Sequence, residues 1–597
     1  MPQGRRKAPF SGKAKKEQLK AKKLAKGGDP EGRQKYLLKS RNRSDDDESD
    51  ENNDGILKVN QQPSKKSNSR DRNPNRYVLQ FFRETDEQLQ QLKELAYQEI
   101  KPVPETELEI KTEDFYCDDL DFPKRPPWDY SMTVDQLNAK EQRYFTEYIK
   151  KIENSFSVRN IGYFELNLET WRQLWRVLEI SDILLFIVDI RFAAAMFPPS
   201  LYDYVTNTLK KDMILILNKI DLVPAPVVVA WKHYLHNKYP DLRIVLFTTC
   251  PAYNLRGGAE SMTDKHGLQI RRRRGKLRMA TEGAQLLYDT VHEIVATRHN
   301  SKIDLSAWQQ KIKEESEYDE DAECEIQNIE LKQKADTSYI EYSERFKDDI
   351  VTIGCVGQPN VGKSSIMNAL MGKKVVSVSK TPGHTKHFQT IYLTPNVRLC
   401  DCPGLVFPSM VPRNLQVLMG LFPIAQLRQP YYVIRYIAER VNLTSLLNIQ
   451  HPENDDSWSA MDICEAWAKK RGYKTAKAAR PDTYRAANSL LRMQLEGKIC
   501  VCLRPVGYSA DKDKWTSHPD LQKVLWIQAI DKETNDGTSS SKVVLTESES
   551  DEDDTNNLVS NIKTQKLADD TNESDSDSDV STSPPASNQN PFAVLAE

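Results

Sequence analysis

Residues 350–371 read IVTIGCVGQPNVGKSSIMNALM, and this stretch decides the fold. The apolar run Ile350–Val356 predicts a buried strand, and SSIMNALM predicts a helix after it. Between them, Gly357–Ser364 matches the pattern G-x-x-x-x-G-K-[ST]. Its glycines let backbone N–H groups turn toward phosphate oxygens, and the helix adds the positive end of its dipole. The stretch therefore predicts a phosphate-binding loop in an α/β fold.

The side chains of this loop have distinct predicted tasks. Lys363 is expected to reach the β- and γ-phosphates of a nucleotide, and the hydroxyl of Ser364 is expected to bind Mg²⁺. The residues predicted to contact the nucleotide are Gly357, Gln358, Pro359, Asn360, Val361, Gly362, Lys363, Ser364 and Ser365.

A second motif, Asp401-Cys-Pro-Gly404, follows the strand-like run Val397–Cys400. Asp401 can hold the Mg²⁺ shell through water, and the Gly404 N–H can meet the γ-phosphate. The pattern D-x-x-G is weak alone, but between it and the loop there is room for one helix and two strands. We therefore interpret it as the second half of the phosphate site.

A third motif, Asn218-Lys-Ile-Asp221, ends the apolar run Met213–Leu217. The Asp221 carboxylate can accept both N–H groups of a guanine edge, whereas adenine would leave it unpaired. Asn218 is expected to brace the loop, and the stem of Lys219 to lie over the base. With the first two motifs, this one predicts GTP binding. Thr248-Thr-Cys250 stands where a base-contacting loop is expected, although it matches that pattern poorly.

The segment Thr381-Pro-Gly-His-Thr385 lies between the phosphate loop and D-x-x-G. Thr385 is the preferred switch threonine, whose hydroxyl would complete the Mg²⁺ shell with Ser364 and Asp401. Thr381 is the alternative. Lys363, Thr385, Gly404 and Asn360 are the predicted catalytic residues.

The order of the motifs is unusual. In ordinary small GTPases the phosphate loop comes first, but here the base motif at 218 and the loop at 248 precede it. A doubly wound sheet tolerates this circular permutation, because it is defined by strand neighbours rather than by the position of the termini. The new break follows D-x-x-G directly. Both flanking regions therefore attach beside the element expected to respond to hydrolysis, which predicts a switch that repositions residues 419–510.

Five stretches resemble the circularly permuted GTPase family, which includes ribosome-assembly GTPases: SDILLFIVDIRFAAAMFPP, LILNKIDLVP, GQPNVGKSSIMNAL, SKTPGHTKHFQT and DCPGL. The resemblance implies a GTPase of low intrinsic rate linked to ribosome biogenesis in the nucleus, nucleolus or cytoplasm. It also matches Asp189 and Arg191 to the family's D-[IVA]-R motif, for which a structural role is favoured over a catalytic one.

The sequence departs from ordinary GTPases at Leu405, where many place a glutamine that orients water. The resemblance implies that a potassium ion near Asn360, or a group from a partner, replaces the glutamine. His384 and His387 are candidates within the chain, although both are equally explained as surface residues. A second hypothesis follows, in which the protein is a catalytically weak nucleotide-binding adaptor that binds RNA or protein through its basic segments.

The near-neutral charge of −2 over 597 residues conceals two opposite tails. Residues 1–43 hold 15 Lys/Arg and 3 acids, whereas residues 531–597 hold 16 acids and 4 Lys. Such segments are usually solvated and often bind partners. The basic tail and RRRRGKLR at 271–278 indicate a polyanion, for which rRNA or a pre-ribosomal particle is a candidate. RRRRGKLR is equally consistent with a signal for a nuclear import receptor or with a solvated loop.

Composition excludes other classes. No apolar run approaches the ~18 residues of a membrane span, and the N-terminus lacks the apolar core of a secretory signal. The nine cysteines show no repeated C-x-x-C, which favours a reducing intracellular compartment. The C-x-C pairs Cys400/Cys402 and Cys500/Cys502 are explained more simply as neighbours on one strand face than as metal ligands. Serines among acids after residue 530 suggest a phosphoprotein, although a tail that only keeps the chain soluble explains them equally well.

The predicted fold class is α/β: a circularly permuted P-loop GTPase domain with a doubly wound, mostly parallel sheet, helical flanking domains and disordered charged tails. The predicted segments are a disordered tail (1–75), a helical region (76–164), the GTPase domain (165–418, with a basic insertion at 251–282 and an acidic one at 301–347), a helical domain (419–510) and a disordered acidic tail (511–597).

Overall fold

In the computed structural model, seven strands form the main sheet of the described part of the chain, in the order β1-β7-β8-β6-β3-β4-β5. In chain order these are β1 Lys58–Val59, β3 Ile183–Asp189, β4 Asp212–Asn218, β5 Arg243–Leu246, β6 Val351–Gly357, β7 Gln389–Thr394 and β8 Val397–Asp401. A separate parallel pair joins β2 Glu109–Ile110 to β9 Arg504–Pro505. The structure describes residues 58–59, 86–129, 131–156, 161–249, 276–299, 303–316, 345–372, 375–376, 388–475 and 479–528.

The strands β3, β4 and β6 are buried along their whole length, on both faces of the sheet. Their sequences, ILLFIVD, DMILILN and VTIGCVG, are nearly continuous apolar runs rather than alternating ones. Such runs are typical of parallel strands covered by helices on both sides. The predicted α/β fold class is confirmed.

The five strands from β8 to β5 run parallel, so their carboxyl ends meet at one edge of the sheet. The registers align Asp189 with Asn218, Ile187 with Gly357, and Cys355 with Asp401. Strand β6, which carries the phosphate loop, lies between β8 and β3 although β3, β4 and β5 all precede it in the chain. The spatial order of a nucleotide-binding sheet is thus kept under a permuted chain order.

Helices surround the sheet and extend beyond it. They are α1 Asp86–Tyr97, α2 Val134–Ser155, α3 Leu168–Ile180, α4 Ala193–Met196, α5 Pro199–Asp203, α6 Ala225–Lys238, α7 Lys276–His299, α8 Ser306–Ser316, α9 Lys363–Met371, α10 Arg413–Leu418, α11 Tyr431–Ala438, α12 Leu443–Leu447, α13 Ala460–Arg471, α14 Thr483–Leu495, α15 Lys512–Thr516 and α16 Asp520–Ile527. None of the described helices is both long and apolar enough to cross a membrane.

The C-terminal helices share a core with the sheet. One hydrophobic cluster contains residues of β3, α11, α14 and α16. Helix α1 packs against α11, and α16 packs against α6. Spatial contacts divide the chain into Met1–Lys532 and Glu533–Glu597, and every described residue lies in the first unit.

Three sequence predictions need correction. The acidic tail does not begin at 511, because α15 and α16 lie beyond that point and Val524 and Ile527 are buried. The acidic insertion includes α8, where Trp308 and Ile312 join the core. Helices α8 and α16 have apolar faces of only a few residues, which are too short to be recognised among the surrounding charged residues. Within the predicted disordered tail 1–75, Lys58–Val59 pair antiparallel with β7, while the rest of 1–75 lies outside the described residues.

Candidate nucleotide-binding site

The phosphate loop joins the end of β6 to the start of α9. Gly362 has φ +100°, a left-handed conformation that favours glycine, and a Cβ there would lie 2.3 Å from Asn218 Nδ2. A Cβ on Gly357 would lie 2.4 Å from the Ile187 carbonyl. Both glycines therefore allow the loop to lie close to β3 and to the base motif. The Gln358 side chain is buried beside Met196, so it does not project from the loop.

Lys363 opens helix α9 with its ammonium group inside the loop. Its Nζ donates to the carbonyls of Gly357 at 3.0 Å and of Gln358 at 2.7 Å. Burial lowers the pKa of Lys363, and the neighbouring Asp401 carboxylate opposes that shift. The amine is thus held at the centre of the loop, in position to serve phosphate oxygens. Ser365 lies half-buried in the first turn of the same helix.

Two oxygen ligands meet beside the loop. The Ser364 hydroxyl lies 3.4 Å from Asp401 Oδ2, and Asp401 is fully buried at the end of β8. A hydroxyl and a carboxylate are the hard oxygen donors that Mg²⁺ prefers. These residues therefore fit a magnesium ion. Thr385, the third predicted ligand, and its alternative Thr381 lie outside the described residues.

The D-x-x-G segment packs directly on the phosphate loop. A Cβ on Gly404 would lie 2.8 Å from Pro359 Cα and 3.2 Å from Lys363 Nζ. The Leu405 N–H donates to the Gly357 carbonyl at 3.3 Å. Only a glycine permits this approach without a shift of the loop backbone. The segment that should detect the γ-phosphate thus rests against the lysine that should bind it.

The base motif is hydrogen bonded to the phosphate loop. Asn218 Nδ2 donates to the Val361 carbonyl at 2.7 Å, and Lys219 Nζ donates to the Asn360 carbonyl at 2.7 Å. These contacts join positions 143 and 141 residues apart. These contacts bring the base motif and the phosphate loop together although the chain order is permuted.

Asp221 and Thr248, the residues predicted to contact the base, lie side by side. The Thr248 hydroxyl donates to Asp221 Oδ1 at 2.7 Å, and both side chains are buried. The predicted base loop thus reaches the predicted base-reading carboxylate, despite its poor match to the usual pattern. Cys250 and the histidines His384 and His387 lie outside the described residues.

Comparison with known proteins decides the family. Guanine nucleotide-binding protein-like 1 from Pongo abelii is 47% identical over 492 residues, which cover 79% of this chain and 80% of that relative. The Homo sapiens protein of the same name is 46% identical over the same length and coverage. The chain belongs to the guanine nucleotide-binding protein-like 1 family. The predicted resemblance to circularly permuted GTPases is confirmed.

The chain also has more distant similarities outside this family. Large subunit GTPase 1 homolog from Bos taurus is 29% identical over 488 residues, covering 73% of this chain and 72% of the relative. The family described as 50S ribosome-binding GTPase matches residues 352–441. GDP-bound and GNP-bound structures of YlqF from T. maritima have TM-scores of 0.30 and 0.31 at 17% identity, covering 56% of this chain and 99% and 96% of theirs.

A buried charge cluster lies behind the nucleotide motifs. Asp189 accepts from Arg191 Nε at 3.0 Å, from Arg191 Nη2 at 2.8 Å and from Lys219 Nζ at 2.9 Å. Burial alone would raise the pKa of Asp189, but the charges of Arg191 and Lys219 outweigh it and hold that pKa well below its ordinary value. Asp189 thereby fixes the lysine that bonds the phosphate loop.

The C-terminal residues supply contacts that the sequence motifs do not reveal. Asn360 Nδ2 donates to the Gly420 carbonyl at 2.8 Å, and Arg191 Nη1 donates to the Gln494 carbonyl at 2.9 Å. Gln528 Nε2 donates to the carbonyls of Ile220 at 2.6 Å and Val223 at 2.8 Å. The apolar sequence around Gln528 was the available signal for this contact, but it lies in the segment predicted to be tail.

Proposed function

We propose that this GTP-binding protein is a slow GTPase that acts as a conformational switch in ribosome biogenesis. The observation that carries the proposal is the direct bonding of the nucleotide motifs to the C-terminal helices. Asn360 of the phosphate loop bonds to Gly420, and Arg191 of the D-I-R motif bonds to Gln494. A change at the phosphate site therefore acts on groups that already hold the C-terminal region.

The catalytic residues each have one task in this proposal. Lys363 binds the β- and γ-phosphates, and the Gly404 N–H binds the γ-phosphate. A magnesium ion, when held by Ser364 and Asp401, neutralises charge that develops on the phosphate oxygens. Gly404 lies so close to the phosphate loop that a Cβ would be 2.8 Å from Pro359 Cα, so any movement of Gly404 on loss of the γ-phosphate would change its packing on the loop.

The slow rate follows from Leu405. Its side chain is fully buried and apolar, so it cannot orient the attacking water. A potassium ion beside the loop is the proposed substitute. Since the Asn360 amide nitrogen donates to Gly420, its side-chain oxygen is the atom able to bind such an ion. His384, His387 or a group from a partner remain candidates for the same role, whereas Thr385 remains the proposed third ligand of the magnesium ion.

The ribosomal assignment rests on relatives and on charge. One matching family is described as 50S ribosome-binding GTPase, and one relative is named large subunit GTPase 1 homolog. The basic residues 1–43 and the run at 271–278 suit contacts to RNA phosphates or to an import receptor. We therefore propose that the protein acts in the nucleus or nucleolus and passes to the cytoplasm. We also propose that the serines among the acidic residues after 530 are phosphorylated.

Lys363→Ala tests the enzyme. The wild-type protein should release phosphate from GTP slowly, faster in KCl than in NaCl, and the variant should lose this activity because the transferred phosphate loses its cation. Lys93→Ala, at an exposed position of α1, is the matched control and should hydrolyse GTP normally. Undiminished phosphate release by Lys363→Ala would show that the observed activity belongs to another site.

Sedimentation of cell extract with GDP, GTP or a non-hydrolysable GTP analogue tests the switch and its partner. We expect comigration with a pre-ribosomal particle in one nucleotide state and not in the other. The Lys363→Ala protein should lose this nucleotide dependence. Absence of comigration in every state would place the function outside ribosome assembly.

The second candidate function is a nucleotide-binding adaptor with little catalysis, and the buried Leu405 favours it. An adaptor would bind RNA through residues 1–43 and 271–278 equally well with GDP or GTP. Deleting residues 1–43 should then reduce RNA binding, measured by filter binding, without a change in nucleotide affinity. RNA affinity that follows the bound nucleotide would instead support the switch.

A further inference from the structure

In the segment 499–505, Cys500 and Cys502 lie on the same face of the chain. Ile499, Val501 and Leu503 are buried, whereas Cys500 and Cys502, which alternate with them, are half-buried. Alternate residues of an extended chain share a face, so the two thiols lie side by side. Their Sγ atoms are 3.4 Å apart. The two sulfurs are therefore in contact, on residues that are only partly exposed.

Both thiols face the guanine-reading loop. Cys500 Sγ donates to the Leu222 carbonyl at 3.1 Å, and Cys502 Sγ contacts the same oxygen at 3.6 Å. Leu222 directly follows the base-reading Asp221. A Cβ on Gly497 would lie 2.6 Å from Leu222 Cδ2, so the turn before the cysteines also packs closely on this loop.

The cysteine segment is anchored at both ends to Arg191. Arg191 Nη1 donates to the Gln494 carbonyl at 2.9 Å, and the Leu503 N–H donates to the Arg191 carbonyl at 2.9 Å. Arg191 is also the partner of Asp189, which holds Lys219. The backbone around the two cysteines is therefore held by hydrogen bonds to Arg191, so a disulfide between them would strain a fixed segment.

The surroundings make Cys500 more acidic than an ordinary cysteine. The hydrogen bond from Cys502 and the positive charge of Arg191 lower the pKa of Cys500, against the effect of burial. The other C-x-C pair has the opposite environment. Cys400 and Cys402 are fully buried, and burial raises the pKa of Cys400 to about 12. The thiolate is the reactive form of cysteine, so the two pairs should differ in reactivity.

We propose that Cys500 and Cys502 form a redox-active dithiol that closes to a disulfide by exchange with a small-molecule disulfide such as oxidised glutathione, and that closure weakens guanine-nucleotide binding. The second half rests on the proposed reading of guanine by Asp221. Closure draws the sulfurs from 3.4 Å to about 2.05 Å. It also removes both S–H groups from the Leu222 carbonyl, beside the carboxylate that selects the base.

The exchange has two steps. The Cys500 thiolate attacks one sulfur of oxidised glutathione, which forms a mixed disulfide and releases one glutathione thiolate. The Cys502 thiolate then attacks the Cys500 sulfur and releases the second glutathione. The two cysteines are oxidised, one glutathione disulfide is reduced to two thiols, and the two cysteine protons end on those thiols.

Mass spectrometry tests the disulfide without reference to nucleotide. The full-length protein is equilibrated in a series of glutathione redox buffers, quenched in acid, alkylated and digested with trypsin. Each C-x-C pair should lie on one peptide, 499–512 or 399–413. We expect 499–512 to lose two hydrogens and to resist alkylation as the buffer becomes oxidising, while 399–413 stays alkylated at both cysteines. A doubly alkylated 499–512 peptide in fully oxidised glutathione overturns the proposal.

Single-cysteine variants test the order of the steps. Cys502→Ser should stop at the mixed disulfide and carry one glutathione on Cys500, whereas Cys500→Ser should react far more slowly. Cys117→Ser, which changes another half-buried cysteine, is the matched control and should form the 500–502 disulfide normally. Equal reaction rates for the two single variants would contradict the assigned roles.

Titration with a fluorescent GDP analogue tests the functional half. Oxidation of the wild-type protein should weaken binding about three- to tenfold, as expected for the loss of one or two hydrogen bonds beside the base. Cys500→Ser, which should react far more slowly, should show less than a twofold response to the same buffers. Unchanged affinity despite a proven disulfide overturns the coupling to nucleotide, whereas failure of the reduced protein to bind the analogue would contradict guanine binding itself.

Discussion

Asp189, Arg191 and Lys219 form a cluster in which each charge has a defined partner. Asp189 and Arg191 are each 1% exposed, so neither ion is solvated by water. Their two direct hydrogen bonds and the ammonium of Lys219 offset the cost of burial. The cluster stands between the base motif and the C-terminal helices. A single substitution in the cluster should therefore affect both the base motif and the C-terminal helices.

Arg191→Met should lower the free energy of unfolding by about 3–5 kcal/mol, because it leaves the Asp189 carboxylate buried with Lys219 alone. Urea denaturation measures this change, and titration with a GDP analogue should show weaker binding. Arg492→Met, on the exposed side of α14, is the control and should be nearly neutral. A loss below ~1 kcal/mol for Arg191→Met would contradict the role of the cluster.

Glu165 should make stability depend on pH in the opposite sense from a paired carboxylate. It is buried, and burial raises its pKa to about 7 despite the backbone N–H of Asn167. Between the ordinary glutamate pKa and 7 the folded chain holds a proton that the unfolded chain releases. The stabilisation is therefore present at low pH and is lost as pH rises through this window.

Glu165→Gln should remove that component of the pH dependence, which is on the order of 3 kcal/mol. Urea denaturation at a series of pH values between 4.5 and 7.5, about the range between the two pKa values, measures this component. It is read as the pH-dependent difference in the free energy of unfolding between variant and wild type. Glu147→Gln, exposed on α2, is the control and should follow the wild-type curve. A constant difference between Glu165→Gln and wild type across this range would contradict the raised pKa.

At the scale of elements, Gly420 links α10 to the phosphate loop. It has φ +75°, and a Cβ there would lie 3.0 Å from Asn360 Nδ2 and 3.1 Å from Leu495 Cδ2. Gly472, after α13, has nearly the same conformation with φ +69°, but a Cβ there would meet nothing within 4 Å. Substituting each glycine by alanine therefore distinguishes the effect of backbone strain, which both positions share, from the effect of contact with Asn360, which only Gly420 has.

Gly420→Ala and Gly472→Ala should each lose about 1 kcal/mol of stability, because both place a Cβ in a left-handed conformation. Only Gly420→Ala should also weaken GDP binding and alter the rate of phosphate release, since only there does the methyl displace Asn360. Thermal unfolding and nucleotide titration measure the two effects. Equal nucleotide affinities for the two variants would contradict a role of Gly420 in nucleotide binding.

The elements also show how far the sequence predicts the structure. The strands β4 and β6 follow the predicted apolar runs to within one residue at each end, because burial on both faces leaves a continuous signal. Helices α8 and α16 were missed because each buries only a few side chains among charges. The contacts of Asn360 with Gly420 and of Arg191 with Gln494 use backbone carbonyls, which carry no side-chain signature.

At the scale of the molecule, α16 completes the GTPase core from outside its motifs. Val524 and Ile527 are 1% exposed, and Gln528 bonds the carbonyls on both sides of Asp221 and Leu222. The predicted boundary at 510 would cut this contact. The chain therefore needs its distant C-terminal helix to complete the base-reading loop.

A protein truncated after residue 511 should be less stable than one truncated after 532 by at least ~4 kcal/mol, since it exposes two aliphatic side chains and loses the Gln528 hydrogen bonds. The shorter protein should also bind GDP weakly. The longer truncation retains every described residue and is the control. Thermal unfolding and GDP titration of the pair measure the effect, and equal melting temperatures would contradict it.

The hydrogen bond from Asn218 to Val361 spans 143 residues, and this separation sets an order of events during synthesis. The strands next to the predicted guanine-binding residues leave the ribosome before the strand that precedes the phosphate loop, because chains emerge from the N-terminus. A nascent chain therefore holds half of a nucleotide site, with exposed apolar strand edges, until β6 and β8 arrive. Chaperone binding should peak in that interval, and nucleotide can stabilise the chain only after Gln528 has emerged.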